Sequence, residues 1–167
     1  GIPRQSGLIR SATATLELSA PYDNEDALRG IEEFSHLWII FSFHQSKTEK
    51  FQPTVRPPRL GGNQRVGVFA TRSPFRPNPI GLSVVELKRV DGTTLELKGG
   101  DFLDGTPVLD IKPYIPYADS ISNADASFAS IAPQPENTVS CSQIASGVFQ
   151  KLDAEQQQLI IDMLRYN

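Results

Sequence analysis

Cysteine is almost missing from this chain: Cys141 is the only one in 167 residues. A single thiol excludes an intramolecular disulfide framework and any cysteine-cluster zinc or iron–sulfur site. It fits a reduced, cytoplasmic setting, and its Ser-rich surroundings read as those of an inert thiol. Histidine is nearly as scarce, with only His36 and His44. Eight residues apart on one expected strand, they would lie about 26 Å from each other and cannot share a metal. The sequence has no H-E-x-x-H pattern and offers no metal site. It has no G-x-G-x-x-G after a strand and no P-loop, so the two common phosphate cradles of nucleotide enzymes are excluded. No apolar run approaches the ~18 residues of a membrane-spanning helix. The first residues, Gly1-Ile2-Pro3-Arg4-Gln5, contain neither methionine nor a signal-peptide h-region, and read as a chain that begins within a longer protein.

What is present is a globular composition, 39% hydrophobic and 21% charged. A chain of this length buries roughly 70% of the surface of its unfolded form, enough for one core. Proline, at 13 residues, is concentrated between Pro53 and Pro116. The formal net charge of −3 argues by itself against a nucleic-acid binder, but the charges are unevenly placed. Lys47, Lys50, Arg56, Arg59, Arg65, Arg72 and Arg76 stand against the single acid Glu49 in one segment. Residues 91–136 carry eight acids and two lysines. A basic loop beside an acidic half is either a solvated face or a footprint for a polyanion.

Residues 13–20 alternate as a half-buried strand does, and Pro21 stops them. Ala27, Leu28, Ile31 and Phe34 have helical spacing, with Asn24 or Asp23 as the cap. Residues 36–44 form a near-continuous apolar run, the mark of a central strand. Residues 47–64 read as a long loop, and loops of that length are usually functional or disordered. A short strand is expected at 66–70. A hairpin is expected from strands 80–90 and 94–98 across Asp91-Gly92. After a second loop around the apolar stretch 108–111, residues 122–137 are rich in Ala, Ser and Pro. Helical spacing returns at Ile144, Val148, Phe149 and Leu152, and Asp153 to Gln156 fits a capping box before another apolar stripe. The body is thus mainly β and antiparallel, with a helical tail, and not a doubly wound sheet.

Two clusters carry chemistry. Gly67 to Gly81 (GVFATRSPFRPNPIG) sets Arg72 and Arg76 among Pro74, Pro77 and Pro79. Proline stiffens the loop, so the guanidinium groups are offered to carboxylate or phosphate at low entropic cost. The bland alternative is a rigid turn whose arginines pair with nearby acids. The second cluster runs from Asp101 to Tyr114. There Asp104-Gly105-Thr106-Pro107 is a turn by residue type, and Asp104 and Asp110 either cap turns or bind ligand hydroxyl or amine groups. His44, where a strand meets the long loop, is equally readable as structural or as a ligand contact.

Together these stretches resemble the TrmO (YaeB-like) family: Pro3-Arg4-Gln5 with Gly7-Leu8, Phe34 to Ile39, Phe43-His44-Gln45, Arg56 to Gly62, Gly67 to Gly81, Asp104 to Pro107 and Asp110 to Pro113, in order across about residues 1–120. The resemblance implies an S-adenosylmethionine-dependent tRNA methyltransferase that acts on N6 of threonylcarbamoyladenosine beside the anticodon. It also implies a non-Rossmann antiparallel β-barrel and a cytoplasmic homodimer. By motif matching, the donor would be held by Pro3, Arg4, Gln5, His44, Gln45, Arg72, Leu82 and the turn Asp104, Gly105, Thr106, Pro107. His44 and Asp104 are both candidates for a general base. Lys47, Lys50, Arg56, Arg59, Arg65 and Arg76 would grip the anticodon arm of the tRNA. The expected organisation is a barrel core at 1–120 lacking the family's first strand, a linker at 121–139, and a helical segment at 140–167 that opens a C-terminal region. The alternative is a non-catalytic RNA-binding module of the same fold.

Overall fold

The computed structural model describes Pro3, residues 5–46 and residues 50–166. Among the described residues there are seven strands: β1 (Thr13–Glu17), β2 (His36–Ser42), β3 (Thr54–Val55), β4 (Val66–Gly67), β5 (Ile80–Asp91), β6 (Thr94–Lys98) and β7 (Val108–Pro113). The α-helices of the described residues are α1 (Pro116–Asp119), α2 (Gln143–Phe149) and α3 (Ala154–Arg165). Five strands make one sheet in the order β1-β6-β5-β2-β7, and β3 with β4 forms a separate two-stranded ribbon. The main sheet has β1 and β7 at its edges, and no closed barrel forms among the described residues.

The chain divides into two compact units. The first comprises Gly1–Leu37, Ser83–Leu103 and Pro133–Asn167, and the second Trp38–Leu82 and Asp104–Ala132. In the first, β1 pairs antiparallel with β6 so that Leu16 faces Leu95 and Ala14 faces Leu97. Leu95 and Leu97 are essentially inaccessible, with Leu37 and Val85, and form the heart of this core. Full burial of one such side chain contributes about 1.5–3 kcal/mol. β5 pairs antiparallel with β6 across the expected Asp91-Gly92 turn, where Gly92 takes φ +59°. A register shift between Leu87 and Arg89 gives β5 one extra residue. Ser83 is buried, and its hydroxyl donates to Asp101 Oδ1 at 2.6 Å.

α3 carries the expected capping box: Asp153 Oδ1 accepts from the Gln156 N–H at 2.8 Å, and the Gln156 side chain reaches back. Its last carbonyls are also met. The Glu136 N–H donates to the Arg165 carbonyl at 3.0 Å, and Asn137 Nδ2 to the Leu164 carbonyl at 3.1 Å. Ser11 Oγ donates to Asp162 Oδ2 at 2.6 Å, tying α3 to the segment before β1.

The expected helix over 24–34 is two short 3₁₀ turns, Glu25–Leu28 and Ile31–Glu33. Asn24 caps the first as expected, but Gly30 lies between them at φ +82°, which no α-helix tolerates. The long loop is not uniformly irregular either, since it contains β3 and the turn Pro58–Leu60. The strand expected at 66–70 stops at Gly67, and Val68–Ala70 coils into a 3₁₀ turn.

The second unit has a smaller apolar centre, of which Ile39, Phe41 and Val68 are buried. β2 alternates buried and half-buried positions, so one face of it is fully covered and the other partly. Trp38 Nε1 donates to Asp119 Oδ2 at 2.9 Å, and that oxygen also accepts from the Ile115 N–H at 2.8 Å, which fixes α1.

Candidate functional site

β2 ends at Ser42, and two loops are bonded to the backbone at that point. The Ser42 N–H donates to the Pro107 carbonyl at 2.9 Å, and the Phe43 N–H donates to the Pro79 carbonyl at 2.7 Å. The first bond brings in the turn Asp104 to Pro107, the second the proline-rich loop. Both acceptors are prolines, whose φ is fixed by the ring. His44 and Gln45 follow at once in a turn closed by the Ser46 N–H on the Phe43 carbonyl at 3.1 Å. Gly105 takes φ +70°, the left-handed conformation that its turn needs.

The start of β5 runs close over β2. A Cβ built on Gly81 would meet the Phe41 ring at 2.2 Å, so only glycine fits there. The Phe41 ring is met edge-on by Phe43 at 5.2 Å. Next to Gly81, Leu82 turns outward and is 53% exposed.

The loop from Val68 to Ile80 is braced internally. Thr71 Oγ1 donates to the Val68 carbonyl at 2.8 Å and accepts from the Ser73 N–H at 3.2 Å. Arg76 Nη1 points into the loop, 2.7 Å from the Thr71 carbonyl and 3.3 Å from that of Ser73. Arg76, expected from the resemblance to grip RNA, is therefore committed to its own loop. Arg72 is exposed on that braced loop, with no hydrogen bond or ion pair to any described residue.

His44, Gln45, Arg72, Leu82 and Asp104 to Pro107 all belong to the second unit, and Pro3 and Gln5 to the first. His44 is half-buried, whereas Gln45 and Asp104 are exposed. None of these three side chains bonds to a described residue. Pro3 is buried and lines a pocket with Ala12, Gly100, Phe102, Leu159 and Met163. Arg4 and Lys47 lie outside the described residues.

Of the expected RNA contacts, Lys50 and Arg56 are exposed and without a described partner. Arg59 reaches the Ile131 carbonyl at 3.5 Å, and Arg65 donates to Thr54 Oγ1 at 3.0 Å. Sequence reasoning missed Phe51 and Phe69, which lie in the same basic segment and are strongly exposed. The signal available was two aromatics within a run of cations. No group of three or more metal-ligating side chains occurs among the described residues, and no described helix is long and apolar enough to cross a membrane.

Asp110, next to this region, forms an ion pair with Lys112 at 2.8 Å. The hydrogen bond from Lys112 holds its carboxyl below the ordinary aspartate value, helped by the Ile111 N–H. That engages Asp110 within its own strand, where it caps no turn.

Residues 1–120 match the sequence model of the tRNA-methyltransferase O N-terminal domain. The chain is 59% identical over 143 residues to the tRNA (adenine(37)-N6)-methyltransferase of Escherichia coli K12, covering 83% of this chain and 61% of that protein. It is 42% identical over 122 residues to a Pyrococcus abyssi protein named "Probable S-adenosyl-L-methionine-binding protein", covering 73% of this chain and 63% of the relative. A crystal structure of TrmO from Pseudomonas aeruginosa superposes with a TM-score of 0.78 at 40% identity, over 99% of this chain and 73% of that one. The chain spans about three-fifths of the length of these curated relatives. With residues 1–120 of its 167 matched to the family's domain, the chain belongs to the tRNA-methyltransferase O family.

Proposed function

We propose that this chain is an S-adenosylmethionine-dependent tRNA methyltransferase acting on N6 of threonylcarbamoyladenosine beside the anticodon. The observation that carries the reading is the group of polar side chains the fold leaves unengaged in the second unit: His44, Gln45, Arg72 and Asp104. The close relative from Escherichia coli is named for methylation of tRNA at adenine 37, which supports it.

The donor set fits S-adenosylmethionine. Arg72, free and rigidly presented, suits the carboxylate of the methionyl part. Asp104 suits the ribose diol or the ammonium, and exposed Leu82 suits the adenine face. No phosphate has to be held, so the missing phosphate cradles do not count against it. When bound, the group supplies a methyl on a positively charged sulfur, already primed to leave.

The chain's own contribution is then alignment of the acceptor nitrogen with that methyl, by residues fixed on a braced loop and a prolyl-bonded turn. The acceptor N6 is acylated and a weak nucleophile, and a ring nitrogen of His44 or an Asp104 carboxylate oxygen takes its proton. Lys50 and Arg56, both unengaged, hold the phosphates of the anticodon arm.

The expected homodimer belongs to this proposal. It is supported by Val108 and Leu109, 37% and 56% exposed on the edge strand β7. Closure of the sheet into a barrel and a cytoplasmic location, where tRNA is modified, go with the same reading. So does the division into a methyltransferase core over 1–120, a linker over 121–139 and a helical segment over 140–167.

The test is calorimetric titration of the chain with S-adenosylmethionine, wild type beside Arg72→Ala, followed by methyl transfer to tRNA bearing threonylcarbamoyladenosine. Saturable binding that weakens by tenfold or more in the variant is expected. A folded wild type that binds no donor would remove the enzyme reading.

A further inference from the structure

Two phenylalanines of the basic segment stand in the open. Phe69 is 71% exposed and Phe51 56%, and their rings stack with centroids 6.4 Å apart and planes 30° from parallel. The ribbon places them. Its register sets Thr54 against Gly67 and Val55 against Val66, and the Val68 N–H extends it by donating to the Pro53 carbonyl at 2.9 Å. The residues before β3 therefore run beside those after β4. Neither ring belongs to the buried centre of Ile39, Phe41 and Val68. Contiguous exposed apolar surface rimmed by polar side chains is a mark of an interaction site.

The surroundings say which kind. The Arg76 guanidinium carbon lies 5.8 Å from the centre of the Phe69 ring. Because Arg76 Nη1 is held by the Thr71 and Ser73 carbonyls, its flat group is fixed next to the ring and does not swing out to meet an anion. The exposed cations Lys50, Arg56 and Arg72 belong to the same unit. An apolar protein surface would match the rings and leave the cations unsatisfied. Unpaired RNA matches both, because every base has a flat face and every nucleotide a phosphate.

We propose that Phe69 and Phe51 form a stacking platform for unpaired bases of an RNA loop, with Arg76 extending the platform and Lys50 and Arg56 holding the backbone. This rests on the RNA-directed reading above, and assigns to Arg76 a place beside the base in exchange for a phosphate contact.

The test is fluorescence anisotropy of the full chain with a labelled anticodon stem–loop and with a fully paired duplex of the same length. Phe69→Ala, Phe51→Ala, Phe69→Trp and Phe69→Leu are compared with wild type. Phe69→Ala should weaken stem–loop binding roughly tenfold. The dependence on salt should not change, because no ionic contact is lost. Tryptophan should retain affinity, leucine should not restore it, and duplex binding and S-adenosylmethionine titration should stay as in wild type. A wild type that binds the stem–loop and is matched by Phe69→Ala and Phe51→Ala overturns the platform and leaves the RNA reading standing. A wild type that binds the donor but no RNA overturns both. A loss of affinity that follows a change of oligomeric state in sedimentation assigns the rings to a protein contact and overturns the proposal.

Discussion

Single residues of this chain divide into those that hold the fold and those the fold does not use. Gly81 is of the first kind: a methyl there lies 2.2 Å from Phe41. Gly81→Ala should cost about 1–3 kcal/mol in urea unfolding, and Phe41→Leu in the same chain should recover part of it. Ser83→Ala should also destabilise, by about 1.5–3 kcal/mol, because the buried hydroxyl donates to a carboxylate. Arg72 is of the second kind. Arg72→Ala should leave the unfolding midpoint in place while donor binding falls, whereas Arg76→Ala should loosen the loop and impair both. The sequence showed that Arg72 and Arg76 sit in a proline-stiffened loop, but not which of them faces inward. That depends on which carbonyls the fold turns toward a guanidinium, a matter of backbone direction that residue types do not encode.

Among the elements, the strongly periodic ones were legible. The hairpin of β5 and β6 follows from Asp91-Gly92, and α3 from its capping box and apolar stripe. Asp153→Ala should cost about 1 kcal/mol by removing the cap. The region 24–34 was less legible, because apolar spacing cannot distinguish an α-helix from two 3₁₀ turns. Gly30 was visible, but its positive φ was not. Of the ribbon, β4 was read in part as the strand at 66–70, but β3 was hidden because a two-residue strand has no period to read.

On the hairpin, Arg89 faces Glu96 and bonds to it at 2.8 Å. That hydrogen bond, aided by the opposite charge, holds the Glu96 carboxyl below its ordinary value and raises Arg89. A lowered carboxylate contributes stability above the unfolded value of about 4.3 and loses it as pH falls through the folded value. Wild type and Glu96→Gln should therefore converge in stability below about pH 4, as measured by urea unfolding across a pH series. Because the pair is exposed, their difference near neutrality should be slight.

At the scale of the whole molecule, the two units differ in what holds them. The first has a core of strand-borne aliphatics, while in the second the buried apolar residues are Ile39, Phe41 and Val68, supplemented by prolines and loop hydrogen bonds. Amide hydrogen exchange should therefore be faster through residues 50–79 than in β1 and β6, and S-adenosylmethionine should slow it near Arg72. The composition could not reveal this division, since the second unit is assembled from two separate stretches. Charge did not reveal it either: the basic run falls in the second unit, but the acidic stretch is shared between the two. On the RNA-directed reading proposed above, removing Arg56 should lower the salt slope of RNA binding by about one. The prolyl carbonyls that receive the end of β2 have a wider consequence. Backbone bonds, with Thr71 and Arg76 bracing the Arg72 loop, position His44, Gln45, Arg72 and Asp104, whose own side chains bond to no described residue. Scaffold and specificity are thus written in different parts of the chain. On the donor reading proposed above, a library confined to Gln45 and Arg72 would vary the donor accepted in a background that stays folded.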